Sequence, residues 1–254
     1  MKKMITILAV AMLLWGASAS ADTLDFLKPF WMQMMDGVSN TASGKVPENV
    51  TVTCADERLT VEACGVLLEN DYSAEAHVYA VLKNTGSERL PIRSVQMTVL
   101  GANGNTLHQE NYVSYMPSVV EPGETMLVSE WMYDFVKEIG KVDSIQISVE
   151  TASRVNEKWK QLGDVRAWLD GDYLCVEFTN TTEKTLFGVI CAATVSDANG
   201  KILDMMMQSP YDTDDLGIAQ GSSIVWRKRL EDAATLKIGT DAVCKAWAYW
   251  MEDL

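Results

Sequence analysis

The feature that most constrains this chain is a match of the chain with itself. Residues 83–107, KNTGSERLPIRSVQMTVLGANGNTL, align without gaps on 179–203, TNTTEKTLFGVICAATVSDANGKIL, with nine of 25 positions identical. The identities come as short words: Asn84-Thr85 on Asn180-Thr181, Thr98-Val99 on Thr194-Val195, and Ala102-Asn103-Gly104 on Ala198-Asn199-Gly200. After a shift of two residues, Gly123 falls on Gly221 and Asp143 on Asp241. A unit of about one hundred residues therefore occurs twice, and both copies are expected to adopt one fold.

Within each copy the hydrophobic period is two. Val95, Met97 and Val99 alternate with Ser94, Gln96 and Thr98, and Ile145, Ile147 and Val149 alternate with Ser144, Gln146 and Ser148, which is the pattern of half-buried strands. Asn103-Gly104 and Asn199-Gly200 predict two-residue hairpin turns, and Pro122-Gly123 and Gln220-Gly221 mark further turns. Neither copy carries a sustained amphipathic helix. Short strands at this spacing, in units of this length, predict an all-β chain of two tandem immunoglobulin-like β-sandwich domains, the first over residues 48–151 and the second over 152–254.

The start of the chain reads differently. Lys2 and Lys3 precede an apolar run from Ile5 to Leu14, and Ala19-Ser20-Ala21 offers a cleavage site, so residues 1–21 are expected to be a signal peptide with no membrane-spanning segment left after cleavage. Residues 22–47 are expected to form a short helix and a linker. Leu24, Leu27, Trp31 and Val38 share a helical face, and Ser39 through Asn49 is rich in Ser, Thr, Gly and Pro. A hydrophobic share of 48% excludes wholesale disorder. The formal charge is −14, and loss of Lys2 and Lys3 with the leader would make it −16, which argues against nucleic acid or an anionic membrane as partner.

An exported chain meets oxidising conditions, and five cysteines lie beyond the leader. If residues 50–57 and 61–68 form a hairpin, one register sets Cys54 opposite Cys64, where a disulfide would form. A register with its loop at Ala55 to Arg58 separates them, and the alternation fits both. Cys191 shares the inward phase of Val95, whereas Cys175 falls on the outward phase beside Leu174 and Val176.

Groups suited to catalysis are scarce. The histidines are His77 and His108, both at positions where exposed polar residues are expected, and neither H-E-x-x-H nor G-x-S-x-G occurs. No catalytic residue, cofactor or metal site is therefore expected. Asp197, Asn199, Asp212, Asp214 and Asp215 offer oxygens of the kind calcium takes, but without an EF-hand loop they read as solvated turns. The binding candidates are Trp131, Tyr133 and Phe135. They alternate along one strand, and if Met126, Val128 and Met132 face inward, the three rings face outward. Such a row would stack on a sugar or a partner protein.

The repeated words also carry a family resemblance. Asn84-Thr85-Gly86, Asn103-Gly104 and Pro122-Gly123-Glu124, echoed at Asn180-Thr181, Asp197-Ala198-Asn199-Gly200 and Gly221, make the chain similar to FxLYD-like immunoglobulin-like modules of exported bacterial proteins. Where that family has Phe-x-Leu-Tyr-Asp, this chain has Met97-Thr98-Val99-Leu100-Gly101 and Ala193-Thr194-Val195-Ser196-Asp197, matching only at the last Asp. The resemblance implies a fold and an exported setting and brings no catalytic residue. The expected function is thus an exported, non-catalytic binding or adaptor protein that contacts a protein or a cell-envelope glycan. The alternative is a passive structural spacer.

Overall fold

A computed structural model describes residues 47, 49–69, 74–133, 135–153, 158–208, 217–230, 238 and 241–252. The expected leader and helix, and Asp212, Asp214 and Asp215, lie outside the described residues.

Apart from one short 3-10 turn at Ile139–Lys141, the regular structure of the described residues is all β, and they fold as two successive sandwiches of the immunoglobulin-like kind. In the first, one sheet holds β1 (Thr51–Cys54), β9 (Val142–Thr151), β4 (Leu90–Gly101) and β5 (Thr106–Glu110) in that order, with β7 (Val119–Val120) paired to β4. The facing sheet runs β2 (Leu59–Glu69), β3 (Glu75–Asn84), β8 (Thr125–Met132) and β6 (Ser114–Met116). In the second sandwich, β10 (Trp159–Gln161), β16 (Val243–Met251), β13 (Ile190–Ser196) and β14 (Ile202–Gln208) form one sheet. Its mate is β11 (Val165–Asp170), β12 (Tyr173–Thr179) and β15 (Ser223–Arg229). Each sandwich closes on the inward phase of its strands. Val95, Met97, Val99, Ile145 and Ile147 are buried in the first, and Cys191, Ala193, Val195, Leu174 and Val176 in the second.

The repeated Asn-Thr word has a structural cause. Asn84 is fully buried; its side-chain amide donates to the carbonyls of Glu88 and Val120 at 2.9 and 3.0 Å, and its side-chain oxygen accepts from the Gly86 amide at 3.0 Å. Asn180 repeats the pattern, donating to Lys184 and Ile218 at 2.8 and 2.7 Å and accepting from the Thr182 amide at 3.0 Å. Each asparagine therefore satisfies one carbonyl within its own loop and one in a second, distant segment.

The Asn-Gly words close hairpins of another length than expected. Gly101 N–H donates to the Asn105 carbonyl and Gly104 N–H to the Gly101 carbonyl, which leaves a three-residue loop, Ala102-Asn103-Gly104. Asp197, Gly200 and Lys201 repeat this, and Gly104 and Gly200 have φ of 73° and 84°. A turn followed by one left-handed glycine restores the strand twist that a two-residue loop would otherwise have to supply.

The cysteine expectation is corrected. β1 does not form a hairpin with β2: it runs parallel to β9, with Cys54 in register with Ile147, while Cys64 on β2 is in register with Ala80 of β3. The two cysteines sit on strands of opposite sheets, and both thiols are free. Cys175, on the outward phase of β12 between Trp168 and Arg227, is nevertheless buried.

The sandwiches pack on each other. Tyr79, Val81 and Leu127, on the outer face of the β2–β3–β8–β6 sheet, with Met116, join Ala192, Ile202, Met205, Trp247 and Tyr249 of the second sandwich in one apolar cluster. Gly65 makes the approach feasible, because a Cβ at that position would stand 1.8 Å from the Ile202 carbonyl oxygen.

Candidate functional site

β8 alternates as far as Met132 and then ends, and that end separates the three aromatic candidates. Trp131 and Tyr133 are 41% and 55% exposed on the outer face. Phe135 lies beyond the strand, where its amide donates to the Ala74 carbonyl just ahead of β3 at 3.3 Å. Its ring is buried in the first core, edge-on to His108 at 6.2 Å. The three-ring row is thus corrected to a pair.

The pair rests on a third ring that the sequence reading placed in solvent. His77 on β3 is in register with Trp131, is only 6% exposed, and lies 4.0 Å from the indole. Tyr133 stacks on the other member at 4.7 Å with an interplanar angle of 27°. Exposure rises along the series from His77 to Trp131 to Tyr133, so Tyr133 offers the most accessible ring.

Beside Trp131 the junction of the sandwiches opens into a cleft of about 360 Å³, lined by Ser114, Ser129, Met205, Met207 and Lys228 among others. Its polar side is built across both sandwiches. Asp204 on β14 is 1% exposed and accepts from Lys228 Nζ at 3.1 Å, from its neighbour's Met205 amide at 2.7 Å and from the Tyr79 hydroxyl at 3.4 Å. Tyr79 in turn lies 3.3 Å from His77 Nδ1. Lys228 also donates to the Met205 carbonyl at 3.2 Å, so a buried carboxylate and a backbone carbonyl fix the ammonium at the cleft rim. On the other phase of β8, burial pushes the Glu130 carboxyl above its ordinary range and the Glu110 charge adds to the rise, against the opposing effect of the Ser114 and Trp131 amides. Burial likewise raises the Tyr249 hydroxyl, which donates to the Thr125 carbonyl at 3.2 Å across the junction.

Among the described residues no group of three or more acidic, histidine or cysteine side chains is placed to hold a metal. Asp197 uses its side-chain oxygen on the amides of Asn199 and Lys201, both at 2.9 Å, and so serves the hairpin.

The sequence reading missed His77, Tyr79, Asp204 and Lys228. One signal was available: Val78 through Leu82 is apolar on both phases, the mark of a strand covered on both faces rather than half-exposed. The pairing of Tyr79 with Asp204, 125 residues away, leaves no local trace.

No family model matches the chain, and no curated protein matches it in sequence. Among solved structures, a match to the crystal structure of red sea bream transglutaminase has 12% identity and a TM-score of 0.21. That match covers 68% of this chain and spans 27% of the other, a likeness too weak to carry an argument about either fold or activity.

Proposed function

We propose that this is an exported, non-catalytic binding module, of the FxLYD-like kind and bacterial, that takes a cell-envelope glycan or a protein segment on the Trp131–Tyr133 pair and the adjoining cleft. The observation that carries the reading is the exposed, stacked pair held next to a cleft with hydroxyl and ammonium groups at its rim. Aromatic rings bind the apolar faces of sugars and peptide side chains, and fixed polar groups beside them set orientation. Lys228 and the serines would supply the polar contacts.

The test compares the chain from Asp22 onward with a Trp131→Ala, Tyr133→Ala double variant of unchanged melting temperature, using co-sedimentation with purified peptidoglycan and titration of tryptophan fluorescence with N-acetylglucosamine oligosaccharides. Binding by the parent and its loss in the variant are expected. Equal binding by both would keep an adaptor role and remove the aromatic site. Absence of binding in these assays and in capture from envelope fractions favours the second reading, a passive spacer, which draws support from the apolar cluster that fixes one sandwich against the other.

A further inference from the structure

A second surface lies apart from the aromatic cleft, and the inference drawn from it does not depend on the function proposed above. In its four-stranded sheet, β2 is an edge strand, paired with β3 on one side. Edge strands expose backbone donors and acceptors and are usually blunted by shortness, charge or proline. Most other edges follow that rule. β1, β5, β6 and β10 are three to five residues long; β11 carries Arg166 and Asp170, β15 carries Arg227, Lys228 and Arg229, and β14 lies against the first sandwich. β2 departs from it over its middle. It is 11 residues long, and between its charged residues Glu62 and Glu69 the stretch from Ala63 to Leu68, after the irregularity between Val61 and Ala63, has neither charge nor proline.

That stretch faces a groove of about 520 Å³ formed with Asn49 to Thr51 on one wall and the hairpin residues Asn199 to Lys201 on the other. Six residues give an edge of about 20 Å, the length of an ordinary partner strand. Ala63, Cys64, Val66 and Leu67 are half-buried, so apolar surface on both phases of the strand is still partly open. The two walls leave space for one extended segment, whereas a second folded copy would bring its own pair of walls into the same space. Among the described residues only β3 pairs with β2, and the row of amides and carbonyls on its other side is matched by extended backbone and by few other ligands. The chain's charge of −14 disfavours an acidic segment.

We infer that the β2 edge between Ala63 and Leu68 binds an extended, apolar-rich, neutral or basic peptide as an added strand. Backbone pairing supplies the affinity, and the half-buried side chains along the groove select alternate residues of the guest.

The test selects binders to the whole purified protein from a library of random linear octapeptides. The best binder is then synthesised in three forms: unmodified, and N-methylated at every second residue in each of the two phases. Alternate amides of a paired strand point toward and away from its neighbour. One methylated form is therefore expected to bind at least about tenfold more weakly, and the other within about twofold of the unmodified peptide. Cys64 lines the groove, its thiol raised by burial and partly lowered by the Lys201 charge. Bound peptide is expected to slow its alkylation by iodoacetamide, read by mass spectrometry, at least about tenfold, in line with occupancy. Failure to select any binder, equal affinity of all three forms, or an unchanged Cys64 alkylation rate would each overturn the inference.

Discussion

Asn84 and Asn180 do the same work 96 positions apart. Each is a fully buried polar side chain whose hydrogen bonds run to backbone groups of its own loop and of a second, distant segment, so its cost of burial is offset only while every bond is made. Replacing either by alanine leaves two carbonyls and an amide without that partner. Asn84→Ala and Asn180→Ala are each expected to lower stability by roughly 2–4 kcal/mol in denaturant melts. A loss below about 0.5 kcal/mol would mean that water replaces the side chain without penalty. The identity of these residues was plain in the self-match; their burial was not, because an Asn-Thr word also suits an exposed loop.

For whole strands, alternation located β4, β8 and β9 well and marked Trp131 as outward. It failed at Phe135 because a period of two holds only while the strand lasts, and β8 stops at Met132. It failed also for β1, which the expected hairpin would have joined to β2. The strand is four residues long and pairs in parallel with β9, a partner some ninety residues later. Since the hairpin that would face Cys54 with Cys64 is absent and both thiols are free, adding a reductant is expected to leave the melting temperature unchanged, within about 1 °C. Differential alkylation without reductant should label both cysteines once the chain is denatured. A drop of several degrees on reduction, or a Cys54–Cys64 linked peptide in a digest, would contradict the pairing described.

Among the described residues, four sheets stack through two cores and an intervening apolar cluster, with the Asp204–Lys228 pair at its border. An interface with that much buried apolar surface couples the sandwiches thermodynamically, so a single cooperative transition is expected for both. Gly65 is the place to break the coupling. In Gly65→Val the new side chain must displace the Ile202 backbone, because even its Cβ would stand 1.8 Å from the carbonyl oxygen. The variant is expected to melt in two steps by calorimetry, with the first sandwich losing roughly 1–3 kcal/mol or more. A single, unshifted transition would show that the approach at Gly65 is not needed for coupling.

What the sequence determined by itself was local and periodic. The self-match set two like units, the period of two set strands with one inward phase, and the glycines set the turns, because each of these depends on neighbours within a few residues. Tertiary structure decided which outer faces are covered. β8 and β15 occupy corresponding places in the repeat, yet β8 is buried on both phases over Met126 to Val128, and β15 alternates between exposed and half-buried throughout. Packing of one sandwich on the other makes that difference, and it also assembles His77, Tyr79, Asp204 and Lys228 beside Trp131. Contacts between residues more than a hundred positions apart are set by which apolar surfaces meet in three dimensions, and no local period records that choice.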